Sequence, residues 1–245
     1  MSFDLLAFGA HPDDVEITCG ALVHKMASRG YRVAICDFTR GEMGTRGDVE
    51  SRAREAEEAR RILGVEARAN LGLPDTAVDR QDRSHLAAVV EALRQFRPRL
   101  VIAPYGVDQH PDHEEASALV TRATFVAGLA KFETPTMGRH RPVSTIYSMY
   151  RRPFDAHFIV DVSDSFNAKM EAIRAHRSQV FADPGDPNPT RLTSPEFLAS
   201  LVARGQFYGL RIGAKYGEPF MSREELPVDD PLAAFAGTRT GRLLG

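Results

Sequence analysis

Two short segments far apart in the chain carry the side chains best suited to chemistry. The first, Ala10-His11-Pro12-Asp13-Asp14, sets an imidazole beside two adjacent carboxylates. The second, His110-Pro111-Asp112-His113, follows the same grammar with two imidazoles and one carboxylate. Imidazole and carboxylate together suit a divalent cation, zinc and its neighbours above all. Three protein ligands and an open fourth position are the pattern of a catalytic zinc, whereas structural sites close with four ligands, mostly cysteine. An acid near a helix N-terminus complements the helix dipole, which accounts for one of Asp13 and Asp14 but not for the pair or for His11. That role fits Asp112 about as well as a hydrogen bond to an imidazole does.

Both segments need an element to hold them. Phe3, Leu5, Leu6 and Phe8 form the short apolar run of a strand covered on both faces, and Val15, Ile17, Leu22, Val23 and Met26 recur at helical spacing. His11 to Asp14 therefore fall at a strand-to-helix turn. Leu100 to Ala103 read as another buried strand, broken by Pro104 and Gly106, and Pro111 fits the first position of a helix running through Phe125. In an open α/β sheet, ligands bind at such turns, beyond the carboxyl ends of the strands.

The remaining chain supplies the sheet and further loops on the same side. A strand over 33–38 leads into a glycine-rich loop with Arg40 and Arg46, and a helix from about Ser51 to Leu63 carries Arg52 in its first turn. Arginines there can hold a carboxylate through bidentate hydrogen bonds, and surface solvation is the plainer use for Arg46. A strand over 67–71 precedes Leu73-Pro74-Asp75, where Asp75 is a candidate for sugar or water contact as well as for turn formation. The next helix runs through Leu86, Val89, Val90, Leu93 and Phe96. This alternation predicts a single α/β domain over 1–226, with a Rossmann-like, mostly parallel sheet flanked by helices. Further on we expect strands over 145–150 and 157–162, and a helix capped by Ser163 or Asp164. A proline-rich loop over 183–189, a helix from about Pro195 into Phe207 and an irregular tail over 227–245 complete the chain.

Composition narrows the function classes. The chain has 245 residues, 43% of them hydrophobic and 26% charged, with a net charge of −2. This balance offers no bulk attraction to nucleic acid or to an anionic membrane. No apolar run is long enough to span a bilayer, and the first residues lead straight into a strand, so a cytoplasmic protein is expected. Cys19 and Cys36 fall inside a helix and a strand and read as reduced, buried hydrophobes rather than zinc ligands.

The paired motifs resemble the signature of the LmbE-like, or PIG-L, family of zinc-dependent N-acetylglucosaminyl deacetylases. Similarity continues through Thr39-Arg40-Gly41-Glu42, the Arg52 helix, Leu71-Gly72-Leu73-Pro74-Asp75 and Gly217-Glu218-Pro219-Phe220. It is strongest toward the branch that deacetylates N-acetylglucosaminyl malate in bacillithiol synthesis. The resemblance implies one zinc ion per subunit on His11, Asp14 and His113, with Asp13 as general base and His110 assisting; on chemical grounds a protonated His110 would aid the oxyanion, and Asp112 would hydrogen-bond to an imidazole and favour its charged form. It also implies a homo-oligomer, trimer or hexamer. The chemistry agrees: zinc brings the pKa of a bound water to about 7, and Asp13 stands beside a ligand to take a proton and return it to the departing amine. Two positions depart from the family. Phe197 stands where some relatives have a tyrosine that assists the oxyanion, and a phenyl ring donates no hydrogen bond. Gln109 stands where close relatives often carry arginine, which leaves a carboxylate to Arg52 with Arg40 or Arg46.

Three other readings remain. Deacetylation of another N-acetylglucosamine derivative, such as a chitooligosaccharide, would use the same motifs. A nucleotide-binding Rossmann-like module would need exposed amides at the first turn, where Asp13 and Asp14 repel a pyrophosphate and Pro12 lacks an amide. A non-catalytic zinc-binding module predicts a closed coordination sphere.

Overall fold

The computed structural model describes residues 2–136, 138–182 and 187–230. Its strands are β1 (Leu5–Gly9), β2 (Val33–Thr39), β3 (Ala67–Leu73), β4 (Leu100–Pro104), β5 (Ser144–Ser148), β6 (Phe158–Asp161) and β7 (Gly217–Ser222). They form one sheet in the order β3-β2-β1-β4-β5-β7-β6. The first five strands pair in parallel, and β7 runs antiparallel to both β5 and β6. The helices are α1 (Asp14–Ser28), α2 (Val49–Ile62), α3 (Arg83–Phe96), α4 (Pro111–Val126), α5 (Phe166–Ala175), α6 (Arg177–Val180) and α7 (Pro195–Leu210).

The apolar runs become the central strands because both sheet faces are covered. Leu6, Phe8, Phe38, Val101 and Ala103 pack with Leu86, Val90, Leu119 and Val120 of α3 and α4. On the opposite face Leu5, Ala7, Ile35 and Ile102 pack with α1, α2 and α5. Each large apolar side chain removed from water in this way contributes roughly 1.5–3 kcal/mol. β1 and β2 are buried throughout, while β3 at the edge is half exposed.

The order of the strands decides where a ligand can sit. From β1 the chain winds outward through β2 to β3, then crosses back to place β4 on the other side of β1. The connections leaving β1 and β4 thus diverge, opening a crevice at their carboxyl ends. His11 to Asp14 leave one side of it and His110 to His113 the other.

The expected Rossmann-like α/β class holds, with differences in detail: α5 follows Ser165, which makes no side-chain capping bond, rather than Ser163 or Asp164, and α6 is a short helix that the spacing did not predict. α2 starts at Val49, because Asp48 and Ser51 form a reciprocal cap: Asp48 Oδ1 accepts from the Ser51 N–H and Ser51 Oγ from the Asp48 N–H. β7 has no counterpart in the sequence reading, since glycine and proline argue against a strand. Pro219 is tolerated because the ladder to β5 begins only at Phe220, so at Pro219 the strand has one partner, β6. Cys19 and Cys36 are free and buried. Among the described residues no helix is long and apolar enough to cross a membrane. Residues 227–230 are exposed; 231–245 of the expected tail and 183–186 of the proline-rich loop lie outside the described residues.

Candidate active site

The turn after β1 is tight. A side chain on Gly9 would begin 3.1 Å from the His11 carbonyl and 3.2 Å from Asp14 Cβ. Asp14 Oδ2 accepts from the His11 N–H at 2.8 Å, closing the turn. Asp13, just before α1, has φ 149° and ψ −20°. A non-glycine residue in that region is strained, and such strain persists where the surroundings over-determine a functional geometry. On the other side of the crevice His110 is the residue before α4, and Pro111 takes the first helical position, where its missing N–H costs nothing. His110 Nδ1 accepts from the Asp112 N–H, so the neutral ring carries its proton on Nε2.

The two turns meet around one carboxylate oxygen. Asp14 Oδ2 lies 3.3 Å from His11 Nδ1 and 3.3 Å from His113 Nε2. Each imidazole turns its other nitrogen to a separate acid. His11 Nε2 is 3.2 Å from Asp75 Oδ1 and 3.3 Å from Asp112 Oδ2, and His113 Nδ1 is 3.2 Å from Asp108 Oδ1. These acids are themselves fixed: Asp75 Oδ2 accepts from the Met43 N–H, Asp112 Oδ2 from Thr76, and Asp108 Oδ1 from Gln109 and His110. Ring nitrogens of His11, His110 and His113 also lie within 4.8 Å of one another, as do donor atoms of His11, Asp75 and Asp112. All these groupings share His11. Nitrogen and carboxylate donors converging at such distances, with acids behind the imidazoles, suit a divalent cation of the zinc type.

The charges follow from this packing. For Asp14, burial opposes ionisation, but His113 and His11 hold the carboxyl well below its usual range. For His113, burial works against the charge, yet Asp14 and Asp108 raise the ring to about 9. His11 is likewise raised despite burial, through Asp112, Asp14 and Asp75. Burial lifts the Asp13 carboxyl above its usual value, and Arg52 pulls the other way. His110 differs: burial, and then the charges of His11 and His113, lower it. Burial first, and then the neighbouring charges of His11 and His113, favour the neutral His110 ring in the metal-free chain, whereas a protonated His110 was expected from the sequence.

The remaining expected contacts divide. Arg52 is buried beneath the turn, where Nη1 donates to the Gly41 carbonyl, Nη2 donates to the Pro12 carbonyl and Nη2 lies 3.7 Å from Asp13 Oδ2. Arg46 is directed elsewhere, its guanidinium donating to the carbonyls of Ser178 and Phe181. Arg40 is exposed beside Gly72. Gln109 is exposed, and Phe197 is a core residue packed among Ile17, Phe166 and Leu201.

Two residues at the site went unnoticed in the sequence. Asp108 sits in an irregular loop with no spacing signal, although its place two residues before His110 was a clue. Tyr150 lies past the end of β5, its ring edge-on to His113 at 4.7 Å between centroids. Burial, and then Asp14 and Asp13, keep its phenol protonated.

A sequence profile of the PIG-L family, described as GlcNAc-PI de-N-acetylase, matches residues 6–124. The chain is 30% identical to the diacetylchitobiose deacetylase of Thermococcus kodakarensis, over 87% of this chain and 80% of that protein. It is 26% identical to a probable N-acetyl-alpha-D-glucosaminyl L-malate deacetylase of Bacillus cereus, over 74% of this chain and 86% of that one. A solved structure of a conserved protein from Thermus thermophilus superposes with a TM-score of 0.83 at 35% identity, covering 93% of this chain and 98% of that one. The fold, the two facing histidine and aspartate turns and these likenesses lead to one conclusion: the chain is an enzyme of the PIG-L deacetylase family.

Proposed function

We propose that the protein hydrolyses the N-acetyl group of an N-acetylglucosamine conjugate, releasing acetate and a free amine, with a zinc ion held by His11, Asp14 and His113. The observation that carries this reading is the convergence of both imidazoles on Asp14 Oδ2, each backed on its far nitrogen by a carboxylate. That donor set is of the type zinc takes; hydrogen bonds from Nε2 to Asp75 and Asp112 orient His11, and Asp108 Oδ1 lies 3.2 Å from His113 Nδ1. Zinc supplies the acidification of a water to near neutrality and the polarisation of the amide carbonyl.

The other steps belong to the chain. Asp13 takes the proton of the attacking water and later passes it to the departing nitrogen. Its raised affinity for protons, the result of burial, brings it closer to working pH and suits it to both transfers. Arg52 stands beside it and limits that rise, so the carboxylate form stays available. His110 donates its Nε2 proton toward the carbonyl oxygen as negative charge grows there, with the ring oriented by the Asp112 N–H on Nδ1. Asp112 and Asp75 hold His11, and Asp75 has its second oxygen tied to the loop that carries Met43.

For the substrate, we infer N-acetylglucosaminyl L-malate, supported by the sequence resemblance and by the Bacillus cereus relative. Of the three arginines Arg40 is the exposed one, and it follows directly on the carboxyl end of β2, so it would meet the malate carboxylates. The Thermococcus kodakarensis relative favours diacetylchitobiose as the second reading. The test is zinc content followed by acetate release from both compounds, with and without a chelator. Stoichiometric zinc and chelator-sensitive release from the malate conjugate are expected. Release from diacetylchitobiose alone would move the substrate to the second reading, and zinc without release from any N-acetyl sugar would refute the hydrolase.

A further inference from the structure

Helix α1, which presents Asp14, is broken after its first turn. Cys19 has φ −135° and ψ 18°, outside the helical range, so the turn over residues 14–18 and the remainder of the helix have separate axes. An unbroken helix would pair the Ala21 N–H with the Ile17 carbonyl and the Leu22 N–H with the Thr18 carbonyl. Side chains from the last third of the sequence bond to all four of these groups. Glu218 of β7 accepts from the Ala21 N–H through Oε1 at 3.2 Å and from the Leu22 N–H through Oε2 at 2.8 Å. Arg204 of α7 donates to the Ile17 carbonyl at 2.6 Å, and Lys169 of α5 donates to the Thr18 carbonyl at 3.3 Å. Lys169 Nζ also lies 2.6 Å from Glu218 Oε1, and Arg204 reaches the carbonyl of Tyr150 beside His113.

Burying a lysine and a glutamate in this way is costly unless both are paired and fully hydrogen-bonded, and a well-packed apolar replacement is often as stable. Stability alone therefore gives little reason for the arrangement. Its geometric effect is specific: it holds the break open and sets the direction of the single turn that follows strained Asp13 and carries Asp14. We propose that Glu218, Lys169 and Arg204 are positioning residues that aim this turn, placing the Asp14 carboxylate against His11 and His113 and the Asp13 carboxylate beside Arg52. This inference rests on the hydrolase reading above. Displacing a catalytic group by about 1 Å can cost on the order of 100-fold in rate, and the same displacement loosens a shared metal site.

The test compares wild type with Glu218→Gln and Arg204→Lys. Glutamine keeps one acceptor oxygen but turns an NH2 toward one of the two N–H groups. Lysine can reach only one of the two carbonyls that Arg204 serves. Circular dichroism and melting temperature establish folding. Zinc affinity is read by competition with a chromogenic chelator, and kcat and KM are taken on whichever of the two acetylated sugars wild type deacetylates. For folded Glu218→Gln we expect zinc Kd to rise about tenfold or more and kcat to fall on the order of 100-fold, with KM nearly unchanged. Arg204→Lys should move the same quantities in the same direction by a smaller factor. A merely structural role would lower the melting temperature and leave zinc Kd and kcat within about twofold of wild type, and that result overturns the proposal. If Glu218→Gln does not fold, Arg204→Lys decides by the same criterion. Wild type that neither binds zinc nor releases acetate would sink the hydrolase reading and this inference with it; an active wild type with unchanged variants sinks the inference alone.

Discussion

Zinc binding to this site should depend steeply on pH, because protons compete for the same nitrogens. In the metal-free chain His113 is raised to about 9, with burial opposing and Asp14 and Asp108 prevailing, and His11 is raised as well. Lowering pH from about 9 to about 7 then weakens zinc binding on the order of 100-fold through His113 alone, at roughly 1.4 kcal/mol per pH unit. The second ring makes the observed slope steeper than tenfold per unit. Stability of the metal-free protein carries the opposite sign. A histidine raised above 6.5 by folding contributes stability that is full below about 6.5 and is lost as pH climbs through about 9, amounting to roughly 3 kcal/mol. The assay is chelator competition from about pH 6 to about pH 9. Parallel melts of metal-free wild type and His113→Gln isolate the contribution of that ring. A zinc affinity that is flat across this range would show that the imidazoles facing Asp14 are not the ligands, and the proposed donor set would fall.

Three further outcomes are expected. Asp13→Asn should keep zinc within about threefold while lowering kcat by roughly 100-fold to 10,000-fold, the range for loss of a general base; steady-state kinetics with a zinc assay checks both. Asp108→Asn should weaken zinc binding about 10- to 100-fold by removing the carboxylate that lies 3.2 Å from His113 Nδ1, read by the same chelator competition. Gly41→Ala forces a side chain onto backbone at φ 68° and to within 1.8 Å of the Arg52 guanidinium. It should lower stability by at least about 1 kcal/mol and release Arg52 from Asp13, seen as a lower melting temperature together with a shifted pH profile of kcat.

Much of this protein is legible in its residues taken in order. Apolar runs bounded by glycine and proline mark the central strands β1, β2 and β4, since strands covered on both faces are mostly apolar. His11, Asp13, Asp14, His110, Asp112 and His113 announce metal chemistry because few other uses bring those side chains together beside strand ends. The rest was settled in space. Chain crossover between β3 and β4 sets two distant turns face to face, and no local spacing encodes a crossover. Arg46 and Arg52 look alike in sequence as candidates for a carboxylate, yet backbone carbonyls take the guanidinium donors of one far from the acids and of the other beneath them. Asp108 and Tyr150 come to His113 from irregular loops that have no periodicity to read. β7 was hidden because glycine and proline mark it as a turn. Only the late pairing with β5 makes room for Pro219 and carries Glu218 to the break in α1, an encounter between the first and last parts of the chain that exists only once the sheet has formed.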